Sequence, residues 1–271
     1  MEPRFVLAPN PSPMTHEGTR SYIVGRERPV VIDPGPALEA HHAALMQALG
    51  GVRPAAILIT HAHPDHAPGS LRLANETGAP VLMAPGALAP SIAPEAVTRW
   101  IGEGERIETD AGVLRAIATP GHAPEHLAFH WTEDGAPTGG ALFVGDLLMG
   151  EGDTALVAAP EGDLARYLRS LEAVAALEAS VFYPTHGPPL TDPLGALERY
   201  RAHREERIEQ VRASLAAGDA SAAELVDTIY GDALHPALHE AAAGSLAAVL
   251  AYLAQRGEAA RLGADRFTLL R

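Results

Sequence analysis

Ala55-Ala56-Ile57-Leu58-Ile59-Thr60-His61-Ala62-His63-Pro64-Asp65-His66 is the stretch from which the rest of the chain can be read. Its first five residues are apolar without alternation, the pattern of a short strand buried on both faces. The strand runs directly into three histidines and an aspartate within six residues. A tight loop at a strand end aims several side chains at one point. Imidazole and carboxylate are good ligands for zinc and related cations. Pro64 stiffens the loop and removes one backbone donor. Solvation alone does not explain such a cluster directly behind a buried strand.

One loop cannot surround two cations, so further ligands must come from other strand ends. His122 follows Thr119-Pro120-Gly121, Asp146 follows Gly145 after Ala141 to Val144, and His186 follows Pro184-Thr185 after Val181 to Tyr183. The separations of 56 residues (66 to 122), 24 (122 to 146) and 40 (146 to 186) each let a strand or helix leave the site and return.

Around these motifs the pattern is that of a layered α/β (α+β) protein. Tyr22 to Val24 and Val30 to Ile32 form a hairpin ending at Asp33-Pro34-Gly35-Pro36. Leu38 to Leu49 reads as a helix with Leu38, Leu45 and Leu49 as apolar points, which leaves His41 and His42 as surface residues. A short helix over Leu71 to Thr77 leads to a strand at Pro80 to Ala84. Gly112 to Thr119 and Leu127 to Trp131 are further strands. Asp163 caps a helix reaching about Leu177. After Pro188-Pro189 the texture changes to helices over Leu194 to Ala217, Ser221 to Tyr230 and Pro236 to Gln255, followed by a terminal hairpin. Ser221 and Glu224 make a capping box. The expected division is a catalytic domain over 1–190 and a winged-helix-like domain over 191–271.

Composition narrows the chemistry. With 271 residues, 47% of them apolar, the chain can bury a core unaided. There is no cysteine, so disulfides, iron–sulfur clusters and thiolate nucleophiles are excluded. All 20 basic residues are arginine, which excludes a lysine Schiff base and a P-loop lysine. The formal charge of −14 repels polyanions at long range. From Leu190 onward 9 arginines face 12 acidic residues, a balance of −3, so this appendage is expected to line the active site or an interface rather than a DNA groove. The run Arg199, Arg201, Arg204, Arg207, interleaved with glutamates, reads as a salt-bridged helix face. Trp100 and Trp131 are expected in a core or interface. His16 lies in the N-terminal loop, and His203, His235 and His239 lie in the appendage. Neither a signal peptide nor an apolar run of roughly 18 residues is visible, the Ala-rich tract Ala241 to Leu253 being too short, so the expectation is a cytoplasmic protein without a membrane partner.

His61-Ala62-His63-Pro64-Asp65-His66, with His122, Asp146 and His186 in that order, resembles the metallo-β-lactamase superfamily over roughly residues 20 to 190. The resemblance implies an αββα sandwich. It implies that His61, His63 and His122 hold one metal, that Asp65, His66 and His186 hold a second, and that Asp146 bridges them. Asp33 matches the superfamily's first motif and would brace the ligand loop. His126 would also stand just behind the ligands. Asn10-Pro11-Ser12-Pro13-Met14-Thr15, Gly18-Thr19, Tyr22-Ile23-Val24-Gly25 and Tyr200-Arg201-Ala202-His203-Arg204-Glu205-Glu206-Arg207 are similar to the lactamase-β-like branch, which carries a C-terminal winged-helix-like domain. Eukaryotic members of that branch are associated with single-strand endoribonuclease activity. The chain departs from the pattern at Ala123-Pro124-Glu125-His126, where a threonine commonly follows the histidine.

The expectation is therefore a hydrolase with two divalent cations, zinc first and manganese or iron as alternatives. A metal-bridging hydroxide would cleave a thioester, lactone or related ester of a small molecule, with Asp65 as ligand and proton acceptor. RNA as substrate of an endoribonuclease or phosphodiesterase is the alternative, and a non-catalytic metal-binding interaction protein is another. The oligomeric state is left open.

Overall fold

The computed structural model describes residues 2–88, 90–133 and 136–270. Its first sheet has six strands in chain order: β1 (Arg4–Leu7), β2 (Arg20–Val24), β3 (Val30–Ile32), β4 (Ala56–Leu58), β5 (Val81–Met83) and β6 (Arg99–Trp100). The first three pair antiparallel, and β3 to β6 pair parallel. The second sheet holds β7 (Arg106–Thr109), β8 (Gly112–Ala118), β9 (Leu127–Thr132), β10 (Ala141–Gly145) and β11 (Val181–Pro184), antiparallel except for the parallel β10–β11 pair. Helices α1 (Glu39–Leu49) and α2 (Gly69–Thr77) are crossovers of the first sheet. Helix α3 (Leu164–Ala175) joins β10 to β11.

Alternation along each strand sorts the side chains into layers. Val30 and Ile32 of β3 and Ala141 and Phe143 of β10 share the inter-sheet core with Tyr22, Phe129 and Trp131. Val31 packs outward with Leu45, Leu49 and Leu73 of α1 and α2. Leu142 and Val144 pack outward with Tyr167 and Leu171 of α3. Both faces of the central strands are thus apolar and covered, which is why β3, β4, β5 and β10 read as unbroken apolar runs. Removing the ring of Phe143, 1% exposed, would cost about 3–5 kcal/mol.

The C-terminal part comprises α4 (Pro193–Ala217), β12 (Ala220–Ser221), α5 (Ala222–Tyr230), α6 (His239–Gln255), β13 (Ala259–Leu262) and β14 (Arg266–Leu269), with the strands ordered β12-β14-β13. The Ser221–Glu224 capping box is present. Tyr200, Ile208 and Val211 of α4 and Leu246, Val249 and Leu250 of α6 belong to the same apolar cluster as α3 and the outer face of the second sheet. The winged-helix unit therefore occupies the outer layer of the sandwich.

Four expectations need correction. His41 and His42 are buried, because they lie four and three residues before Leu45, on the face of Leu45 and Leu49, whereas the expected apolar point Leu38 is 38% exposed at the N-cap. His41 Nε2 lies 2.8 Å from Ser21 Oγ, and His42 pairs with Glu76 at 2.9 Å. Of the two tryptophans expected in a core or interface, Trp131 is fully buried and donates from Nε1 to Ala111 O, whereas Trp100 lies outside the core, 47% exposed on edge strand β6. In the arginine run, Arg201 does pair with Glu205, but Arg204 is buried and donates to Ala155 O. The 20-residue stretch Pro236–Gln255 is long and apolar enough by length and composition to cross a membrane, contrary to the sequence expectation. In the fold its face carrying Leu246, Val249, Leu250 and Leu253 is packed into the core.

Candidate metal centre

The chemistry-bearing loops leave the sheets at one rim of the sandwich. β4 delivers His61, His63, Asp65 and His66; the β8–β9 connection delivers His122; β10 delivers Asp146 and β11 delivers His186. Leu127 N–H donates to Thr60 O, and Arg20 N–H donates to Thr185 O, so backbone bonds tie the two sheets together here. Two glycines make the approach possible. A Cβ on Gly121 would lie 2.4 Å from Tyr167 Cα, and one on Gly145 would lie 2.6 Å from His126 Nε2; both have positive φ.

Nε2 of His61, Nδ1 of His63 and Nε2 of His122 lie 2.9, 3.0 and 3.1 Å from one another. Each neutral ring nitrogen carries either one proton or one lone pair. No placement of protons gives three nitrogens meeting at a point three good hydrogen bonds, whereas one cation accepts three lone pairs. Beside this triad, Asp65 Oδ2 lies 3.4 Å from His66 Nε2 and 3.1 Å from His186 Nε2. Asp146 stands between the groups. Its Oδ1 is 3.3 Å from His66 Nε2 and 3.4 Å from His186 Nε2, while its Oδ2 is 3.6 Å from His122 Nε2. His66 Nε2 and Asp146 Oδ1 are buried without a hydrogen-bond partner. These orphaned atoms and the nitrogen triangle fit a pair of divalent cations, and the donor set suits zinc, iron or manganese.

Every one of the five histidines has its other ring nitrogen against an oxygen. His61 Nδ1 meets Thr60 Oγ1 at 3.0 Å, His63 Nε2 meets Glu161 at 2.7 Å, and His66 Nδ1 meets Asp33 at 2.9 Å. His122 Nδ1 meets Leu156 O at 2.6 Å and His186 Nδ1 meets Gly18 O at 3.2 Å. Such partners fix ring orientation and raise the basicity of the inward nitrogen. Asp33 also accepts from Thr60 N–H and Oγ1. His126 is buried behind the site: its Nε2 accepts from Asp146 N–H and its Nδ1 donates to Thr119 Oγ1. Sequence reading missed Glu161, which sits in a loop without periodicity, and Glu125, whose Oε1 accepts from Ala62 N–H between two of the histidines. The position of Glu125 beside His122 was the available signal. The carbonyls of Leu156 and Gly18 carry no sequence signal at all.

Burial disfavours charge throughout the cluster. It pushes His61 well below the ordinary imidazole range and His122 down to about 4. At His66 burial is overcome by Asp146, Asp65 and Asp33, which hold it well above that range; at His186 it is overcome by Asp146 and Asp65, which lift it to about 9. The same histidines hold Asp65 and Asp146 low against burial. Protons held between these side chains would be released as a divalent cation binds.

The site opens into a cleft of about 750 Å³. Asp65, His63, His122, Asp146 and His186 form its floor. The N-terminal loop, with Met14 and His16, forms one edge, and the segment from Met149 to Leu156 another. The remaining wall comes from the winged-helix unit, including Tyr230, Leu234, Leu238 and Ala242. Among the described residues no arginine lines it.

The family model described as Metallo-beta-lactamase superfamily matches residues 15–186, and that described as Beta-lactamase associated winged helix domain matches residues 221–266. Lactamase-like protein adaB of Aspergillus niger is 30% identical over 243 residues, covering 83% of this chain and 72% of its own. The Beta-lactamase-like protein 2 homolog of Drosophila melanogaster is 31% identical over 220 residues, 76% of this chain and 71% of that one. A metallo-beta-lactamase family protein from Thermus thermophilus superposes with a TM-score of 0.80 at 26% identity, over 99% of this chain and 98% of that one. TTHA1623, solved in a di-iron-bound form, gives 0.55 at 29% identity over 74% and 98%.

Proposed function

This chain belongs to the metallo-beta-lactamase superfamily of metal-dependent hydrolases, and on that premise we propose that it is a binuclear hydrolase, zinc-loaded, that cleaves an ester-type bond in a small molecule. The observation that carries the reading is the convergence of seven side chains into two sets that meet at Asp146. When bound, two such cations lower the pKa of water toward about 7 and draw electron density from the oxygen that gains charge in the reaction. The protein's own groups do the rest. Asp65, which lines the cleft, orients the attacking water and takes its proton. Asp146 spans the two sets, and Asp33, Glu161 and the Leu156 carbonyl keep the imidazoles aimed inward. A thioester, lactone or related ester fits the apolar cleft. The absence of arginine among its described lining residues disfavours RNA, whose phosphates need cations. The di-iron form of TTHA1623 keeps iron as the alternative metal.

The test is metal analysis followed by a panel of thioesters, lactones, a phosphodiester chromogen and single-stranded RNA. Two equivalents of metal and hydrolysis of an ester or thioester are expected. Asp65→Ala should lower kcat by about 10²–10⁴-fold, and His122→Ala should lose metal. Full metal content and full activity in both variants would overturn the assignment.

A further inference from the structure

We infer that the winged-helix unit is the acyl-group selector of this cleft, and that the site takes an uncharged substrate with an apolar acyl group of medium length. The inference rests on the hydrolase reading and names its substrate class.

Beyond the floor of histidines and aspartates, the charged side chains among the described lining residues are Glu151 and Asp153, with His16 opposite Glu151 at 4.0 Å. None of the chain's 20 arginines reaches the cleft wall among the described residues. A leaving group bearing phosphates would therefore meet carboxylates at the rim and no compensating cation. The far wall is apolar. Tyr230 ends α5, Leu234 and Leu238 belong to the turns that follow, and Ala241 and Ala242 open α6. All five are wholly or partly buried, so they present carbon surface to the cleft without being free patches. A cavity of about 750 Å³ is of the size that encloses a drug-sized ligand.

The wall is fixed in place. Ala159 N–H donates to Gly244 O at 3.0 Å, and a Cβ on Gly244 would lie 2.9 Å from that of Ala158, so α6 sits directly on the segment whose Leu156 carbonyl meets His122. Arg207 stacks over the Tyr230 ring at 4.3 Å. The surface that contacts the acyl group is thereby held at a set distance from the reacting centre, and a preformed wall discriminates by length.

The experiment has two arms, both on the full-length metal-loaded protein. In the first, calorimetry compares octanamide with acetamide, neutral probes whose binding does not require hydrolysis. Octanamide should bind at least about tenfold more tightly. Leu238→Asp, and independently Ala241→Phe, should abolish that preference while metal content stays at wild-type level. In the second, the octanoyl thioester of N-acetylcysteamine should exceed both its acetyl counterpart and octanoyl-coenzyme A by at least about tenfold in kcat/KM. Equal binding of the two amides, an unchanged preference in folded variants, or preference for the coenzyme A thioester would overturn the inference. If octanamide is selected but no ester or thioester is cleaved, the hydrolase reading falls and the selector remains as a ligand site.

Discussion

Asp33 is a single carboxylate with several partners at the base of the site. It accepts from Thr60 N–H at 2.8 Å, from Thr60 Oγ1 at 2.7 Å and from His66 Nδ1 at 2.9 Å. It does so from the left-handed region, φ 48°, which a non-glycine residue adopts at some cost. Asp33→Asn keeps the shape but turns one acceptor into a donor facing donors. We expect metal affinity to fall about 10–100-fold, measured by chelator competition, with the circular dichroism spectrum unchanged; wild-type affinity would remove Asp33 as the brace of His66. His41 supports a prediction about pH. Burial pushes its pKa down to about 4, from an ordinary 6.5. Between these values the unfolded chain binds the proton and the folded chain does not, so stability is full above pH 6.5 and falls as pH drops toward 4, by at most about 1.4 kcal/mol per unit. His41→Gln should flatten that part of the urea-midpoint profile, and an unaltered slope would assign the pH dependence elsewhere.

At the scale of the element, α4 explains what Tyr200 and Arg204 are for. They lie one turn apart on one buried face. Tyr200 OH donates to Met149 O and accepts from Met149 N–H, and Arg204 donates to Ala155 O. Tyr167 of α3 adds a bond to Leu147 O. The segment so held begins directly after Asp146 and ends at Leu156, whose carbonyl fixes His122. Arg204→Met leaves the buried Ala155 carbonyl with only a long 3.4 Å contact from Thr154 Oγ1, at a cost of about 1–3 kcal/mol. It should weaken the His61–His63–His122 set selectively, so a stepwise metal titration should show one equivalent lost before the other. A fall in Tm with both equivalents retained would mean that Arg204 only stabilises the fold. Element recognition from sequence worked where an apolar run is buried on both faces, even in the three-residue strands β3, β4 and β5. It failed for β1, β6 and β7, edge strands that bury at most one of their residues.

For the whole molecule, the shared cluster of α3, α4, α6 and the outer face of the second sheet predicts one cooperative unfolding transition rather than two. Two resolved calorimetric peaks would show independent domains. A fragment over 1–190 would uncover the face of α3 on which α4 and α6 pack and should aggregate. A cation held by the folded chain alone stabilises it, so chelation should lower Tm by an amount that grows with the logarithm of free metal in the reference sample. An identical Tm with and without chelator would show that no cation is held.

The side chains that converge as candidate donors were legible in the chain itself, since His61, His63, Asp65, His66, His122, Asp146 and His186 each follow an apolar strand or a glycine–proline turn. Strand-end chemistry is local, and a residue type suited to a cation reports it without knowledge of the fold. Which nitrogen of each ring turns inward was decided only by folding, because the oxygens behind them come from Gly18, Leu156 and Glu161, distant in sequence and silent in pattern. The wall of the cleft was likewise a matter of packing. Tyr230, Leu234, Leu238, Ala241, Ala242 and Ser245 line the cleft because α4 and α6 bury their apolar faces on α3, a contact between surfaces that no short stretch of sequence contains.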